Sequence, residues 1–144
     1  MKQTESSIRV RYKDTDQMGV VYYANYFVWF EVGRADYFRA MGMTYKDLEQ
    51  NEIYLPVIEA YCQYKSPARY DDEIFIMTTL KMLQEVKLSF GYEILNKEKT
   101  LLLASGETIH AFVNNKGKPV VARKQNPFLW RMLRDKVDPE KKEG

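Results

Sequence analysis

Ile8, Val10 and Tyr12 alternate with Arg9, Arg11 and Lys13, the two-residue period of a half-buried strand. A polar segment, "DTDQMGV" at 14–20, interrupts it, and the period then changes. From Asn25 to Met41 there is no proline, and Tyr26, Phe30, Gly33, Tyr37 and Met41 recur at three- and four-residue spacings. This predicts a long helix. Phe27, Val28, Trp29 and Phe38 widen the apolar stripe until the first half is apolar nearly all round, so this helix needs burial on several sides. Gly33 weakens the helix but allows another backbone to come close.

Thr44 is a good N-cap for a short second helix, and Asp47 three residues on approximates a capping box. After Pro56, strand signals follow at about 57–66, 73–83, 86–96 and 100–113, the last rich in Leu, Ile, Val and Thr. "NNKGK" at 114–118 is turn chemistry and leads to a short strand expected near Val120. Asn126 and Pro127 read as the N-cap and first residue of a terminal helix. Residues 136–144 are expected to form a flexible, solvated tail. No repeat, low-complexity stretch or linker divides residues 1–144, so they form one domain. Strand, long helix and then consecutive strands with short turns give an α+β class, with an antiparallel sheet of about five or six strands wrapped around a central helix. Exposed sheet edges then need covering, and two subunits paired edge to edge would do it.

Composition narrows the function classes. The 144 residues, 45% of them apolar, suit a single core. Twenty-two basic against 20 acidic residues leave a net charge of +2, which offers no support for a nucleic-acid partner. No apolar run approaches the ~20 residues of a membrane helix, and the polar start "MKQTESSIRV" lacks a signal-peptide core. The lone Cys62 makes no intrachain disulfide and reads as a buried core thiol, so a cytoplasmic location is expected. His110 is the only histidine, set in a strand on the face of Leu102, Ala104, Thr108 and Phe112, and reads as core or interface. One histidine and one cysteine argue against a Ser-His-Asp triad and a His-rich metal site. No metal site and no cofactor are expected.

Residues 12–34, "YKDTDQMGVVYYANYFVWFEVGR", carry a more specific signal. Asp14, Asp16, Gly19, Val21, Tyr26, Glu31 and Arg34 fill an acidic turn, a D-x-D-x-x-G-x-V pattern and an acid-x-x-Arg helix. In this the chain resembles the 4-hydroxybenzoyl-CoA thioesterase family, including its Tol–Pal-linked acyl-CoA thioesterase branch. "SPARYDDEI" at 66–74 is similar to the family's link between its second and third strands, and "LLLASGETIHAFVNNKGKPV" to its penultimate strand and hairpin. The resemblance spans roughly residues 7–127. Tol–Pal-linked members carry a histidine seven residues after the catalytic aspartate, whereas this chain has Tyr23.

The resemblance implies a hot-dog fold, an acyl-CoA thioesterase activity with coenzyme A as part of the substrate, and a homodimer or homotetramer. It makes Asp16 the catalytic base or nucleophile, with the Tyr23 backbone N–H polarising the thioester oxygen at the start of the helix. Gly19, Val20 and Tyr22 then belong to the substrate-binding loop. From its spacing alone, Asp16 reads first as an Asx-turn or helix-capping aspartate, and it is the whole motif that favours catalysis. Asp14 is assigned to turn geometry, and Glu31 and Arg34, at i and i+3, can pair as structural support. Lys87, Lys118, Arg123 and Lys124, near strand ends, are the candidate cations for the coenzyme A phosphates; solvated basic turns explain them equally well. A non-catalytic acyl-CoA-binding dimer of the same fold is the alternative reading. The aromatic density of Tyr22, Tyr23, Tyr26 and Trp29 suggests an acyl pocket for an aromatic or short chain, or plain core.

Overall fold

The computed structural model describes residues 3–137. In chain order it contains β1 (Gln3–Arg9), a 3-10 turn (Tyr12–Asp14), α1 (Asn25–Ala40), α2 (Tyr45–Gln50), β2 (Val57–Tyr64) and β3 (Glu73–Leu83). β4 (Lys87–Asn96), β5 (Leu102–Ala111), α3 (Ala122–Gln125) and α4 (Pro127–Lys136) complete it. The five strands form one antiparallel sheet in the order β1-β3-β4-β5-β2. The sheet's inner face carries Ile74, Ile76, Leu80, Phe90, Tyr92 and Ile94, all buried, against Tyr26, Phe30, Tyr37 and Phe38 of α1. Phe30 stacks on Tyr92 with ring centroids 4.2 Å apart and planes 6° from parallel. A curved sheet around one helix is the hot-dog architecture.

Close approach explains two glycines. A Cβ on Gly33 would collide with Thr78 Oγ1 and lie 3.1 Å from Ile76 Cγ2, so α1 sits against β3 only because that side chain is missing. A Cβ on Gly106 would lie 2.6 Å from the Phe30 ring and 2.5 Å from the Tyr61 carbonyl oxygen. Gly33→Ala is therefore expected to destabilise the fold by about 1–3 kcal/mol through overpacking, despite alanine's better helix propensity. Chemical denaturation checks this; an unchanged midpoint would mean that the α1–β3 contact is looser than it is drawn.

Capping follows the sequence. Thr44 Oγ1 accepts the Asp47 N–H at 3.2 Å while Asp47 returns a bond to the Thr44 N–H at 2.9 Å. Asn126 Oδ1 accepts the Leu129 N–H at 3.1 Å, with Pro127 in the first turn.

Four expectations are corrected. The first strand ends at Arg9, and Tyr12 falls in the 3-10 turn, exposed. The Asp14 carboxylate accepts the Arg11 N–H at 2.9 Å, and such local bonds compete with a ladder. Near Val120 there is one bridge, Val113 to Pro119, rather than a strand: the Val120 N–H still donates to the Phe112 carbonyl at 2.9 Å, but the Ala122 N–H then turns to the Glu85 carbonyl. The chain turns instead into α3. Cys62 is only partly buried, and Val28 of α1 is exposed. At the expected tail, Lys136 still belongs to α4 and Val137 is buried; residues 138–144 lie outside the described residues.

A polar chain crosses the core. The Arg34 Nη1–H donates to Tyr92 Oη at 3.2 Å, and Tyr92 Oη lies 2.6 Å from Thr108 Oγ1. His110 Nε2 lies 2.8 Å from Thr108 Oγ1, and Nδ1 lies 3.0 Å from the Leu55 carbonyl oxygen. That carbonyl can only accept, so Nδ1 carries the proton and Nε2 accepts from Thr108, whose oxygen accepts from Tyr92. His110 is thus held neutral in the core, and burial lowers its pKa to about 4 from 6.5. Between those values the unfolded chain binds a proton that the folded chain refuses. Stability should therefore fall as pH drops from 6.5 toward 4, and this limb of a pH–melting curve should flatten in His110→Gln. An equal limb in that variant would contradict the assignment.

Candidate functional site

The turn after the 3-10 segment is built by its own backbone. The Asp16 N–H donates to the Val20 carbonyl at 2.8 Å, and the Gly19 N–H to the Asp16 carbonyl at 3.0 Å. Gly19 sits at φ +78°, a left-handed conformation that glycine adopts without strain. The Val21 N–H donates to the Ala68 carbonyl and the Tyr22 N–H to the Asp14 carbonyl, each at 2.8 Å, tying the turn to the link after β2 and to its own start. Asn25 Nδ2 also donates to the Asp14 carbonyl at 2.8 Å.

Asp16, Val20 and Tyr23 line one cleft of about 330 Å³, closed on the other side by Tyr26, Tyr64 and the segment Lys65, Ser66 and Pro67. One oxygen of Asp16, Oδ1, accepts the Met18 N–H at 2.8 Å, so the capping geometry foreseen as an alternative is present. Its second oxygen accepts no hydrogen bond among the described residues. The Tyr23 N–H, just before α1, also has no acceptor among them, while the neighbouring Asn25, Tyr26 and Phe27 N–H groups are satisfied by the Tyr22, Tyr23 and Ala24 carbonyls. Tyr64 Oη donates to the Tyr23 carbonyl at 2.9 Å, which fixes that peptide plane. Asp16 and Tyr23, each with one polar group lacking a partner among the described residues, thus line one cleft together with the rings of Tyr26 and Tyr64. Such an arrangement can activate a nucleophile and polarise a carbonyl.

The other candidates fall elsewhere. Gly19 and Tyr22 are exposed and lie outside the cleft lining, and Tyr22 packs on Tyr23 with ring centroids 4.8 Å apart. Trp29 is core. Lys87 pairs with Ala111, at the end of the sheet where β2 begins. Arg123 is tied by Nε to Glu85 at 3.1 Å, and Lys124 is exposed on α3. β2 has its other end, Tyr64, at the cleft, and eight strand residues at roughly 3.3 Å each put these cations about 23 Å away within one chain. Glu31 and Arg34 make no ion pair among the described residues. Arg34 reaches instead to Tyr45 Oη at 3.3 Å and to Tyr92 Oη.

Tyr64, Lys65, Ser66 and Pro67 were missed as cleft residues. "SPARYDDEI" signalled a link between strands, but only the fold carries that link back over the Asp16 turn, through the Val20–Arg69 bridge. No group of three or more His, Cys, Asp or Glu side chains that could hold a metal occurs among the described residues. No described helix is long and apolar enough to cross a membrane.

Residues 10–137 match the family described as the thioesterase-like superfamily. YneP of Bacillus subtilis is 35% identical over 138 residues, covering 95% of this chain and 99% of YneP. The acyl-CoA thioester hydrolase YbgC of Escherichia coli is 35% identical over 95 residues, covering 66% of this chain and 71% of YbgC. The crystal structure of a DHNA-CoA thioesterase from Staphylococcus aureus is similar with a TM-score of 0.86 at 30% identity, covering 93% of this chain and 89% of that one. Given a sheet curled round one long helix and a family match across nearly all the described residues, the chain belongs to the thioesterase-like superfamily of hot-dog-fold thioester hydrolases.

Proposed function

We propose that the protein hydrolyses an acyl-CoA thioester to the free acid and coenzyme A, with Asp16 as base or nucleophile and the Tyr23 N–H as donor to the developing oxyanion. The observation that carries this reading is the shared cleft, in which one Asp16 oxygen and the Tyr23 N–H are both free of partners among the described residues. A positioned base contributes about 10²–10⁴ in rate and one oxyanion donor about 10²–10³. The activity of the related YbgC supports the substrate class. Val20 lines the cleft, Gly19 shapes its turn, and Tyr22 packs on Tyr23 beside it.

The working unit is a dimer. β2 ends the sheet with an unpaired edge, and Val57, Ile58, Tyr61 and Tyr64 on it are each about half exposed. An apolar edge of this kind pairs with another strand. Antiparallel pairing of β2 with its copy would set the Val57 end beside the partner's Tyr64 end. Lys87, Arg123 and Lys124 would then approach the partner's cleft, where coenzyme A phosphates need cations. Thiol release from a panel of aliphatic and aromatic acyl-CoA compounds tests the activity. The Asp16→Asn variant tests the mechanism, and absence of thiol release from every member would end the catalytic reading in favour of an acyl-CoA-binding dimer.

A further inference from the structure

Arg34 is a cation without a counter-charge. It is 9% exposed, and its only hydrogen-bond partners among the described residues are the phenol oxygens of Tyr45 and Tyr92. Burial works against its charge, and the two phenol oxygens outweigh that effect and raise its pKa. A guanidinium has five N–H donors, so three remain without acceptors. Buried charges are ordinarily paired, because leaving one unpaired costs several kcal/mol.

The guanidinium lines a cavity of about 650 Å³ distinct from the Asp16 cleft. Tyr45, Tyr54 and Leu55 give it aromatic and apolar walls, and Asn114 adds an amide. Asn114 Oδ1 is taken by the Lys116 and Lys118 N–H groups at 2.9 and 3.0 Å, which leaves its NH₂ as a further donor. Glu31 and Glu49 also border the cavity, but both are exposed, where water and salt screen them. Arg34, buried, is screened far less.

We infer that this cavity binds a small organic carboxylate, its charged end on Arg34 and its apolar body against Tyr45, Tyr54 and Leu55. One fixed cation matches a single negative charge. A phosphate dianion would carry one charge more than the Arg34 cation balances. The planar guanidinium also suits the two oxygens of a carboxylate. The acid is either a free ligand or the far end of an acyl group held in the partner's Asp16 cleft, which antiparallel β2 pairing would bring to the Val57 end. The second source rests on the acyl-CoA hydrolysis proposed above, and the first does not.

Benzoate and its neutral isostere benzamide are titrated into the whole protein by calorimetry. Benzoate should bind and benzamide should not, and Arg34→Gln should weaken benzoate at least about tenfold, as for loss of a charge-assisted bond. If benzoate competes with acyl-CoA turnover and glutaryl-CoA outruns pentanoyl-CoA, the acid is the acyl end. If benzoate binds without competing, it is a free ligand. Equal binding of benzoate and benzamide, no binding of either, or full benzoate affinity in Arg34→Gln overturns the inference. Should that variant fail to fold, the Arg34 Nε–H resonance of the unmodified protein decides: it must move with benzoate and stay with benzamide. Asp16→Asn should bind benzoate like the unmodified protein, so failure of this site and failure of the catalytic assignment are separable.

Discussion

Asp16→Asn is expected to lower turnover by at least about 10², the lower end for a positioned acid–base group. Asparagine keeps the volume, and its amide oxygen can still accept the Met18 N–H that Asp16 Oδ1 holds at 2.8 Å. The turn, the link to Ala68 and the fold should therefore survive with little change in melting temperature. Lost is the negative charge and the basicity of the second oxygen, since the amide nitrogen's lone pair is delocalised. Tyr23→Phe should retain most activity, because the proposed role uses only its backbone N–H and the Tyr64 bond to its carbonyl is untouched. Asp14→Asn should cost far less than Asp16→Asn, because Asp14 holds only the Arg11 N–H and its turn. A folded Asp16→Asn protein with near-normal turnover would return Asp16 to turn capping, and the non-catalytic reading would gain.

The second large effect is expected at the β2 edge. Ile58 is 52% exposed in the single chain, so aspartate there should be tolerated by the fold. In a β2-paired dimer the same position becomes buried in each subunit, beside the partner's Tyr64 end. An unpaired buried charge costs about 3–5 kcal/mol, which is at least about a hundredfold in dimer dissociation. Ile58→Asp should sediment as a monomer at concentrations where the unmodified protein is a dimer. Its kcat/KM should fall by at least about tenfold, because Lys87, Arg123 and Lys124 no longer reach a partner's cleft. A stable and fully active monomer of the unmodified protein would refute the shared site. It would also leave the exposed Val57, Ile58, Tyr61 and Tyr64 without an explanation.

Local chemistry was legible in the sequence wherever the determinant lies within a few residues. The α1 period, the Thr44–Asp47 capping box, the Asn126–Pro127 helix start and the strand runs from 57 to 113 were all read to within a few residues. Gly33 was legible as a place of close approach, though not as contact with Thr78. The acidic turn was legible because glycine and aspartate spacing dictates a tight bend, and the family resemblance gave Asp16 its role as an expectation. Only the tertiary structure decided what crosses the sequence at long range. Tyr64 meets Tyr23 and Arg69 meets Val20 over more than forty residues, so no local pattern marks them. The pairing of Arg34 was misread because i and i+3 spacing allows a Glu31 contact. Packing instead turned the guanidinium inward to Tyr45 and Tyr92, the latter 58 residues away. The strand expected near Val120 is cut to one bridge because the Ala122 N–H turns to the Glu85 carbonyl, a long-range contact that no local pattern marks. Periodicity sets which face of an element is apolar, but which partner covers that face depends on sheet order, and sheet order is a property of the whole chain.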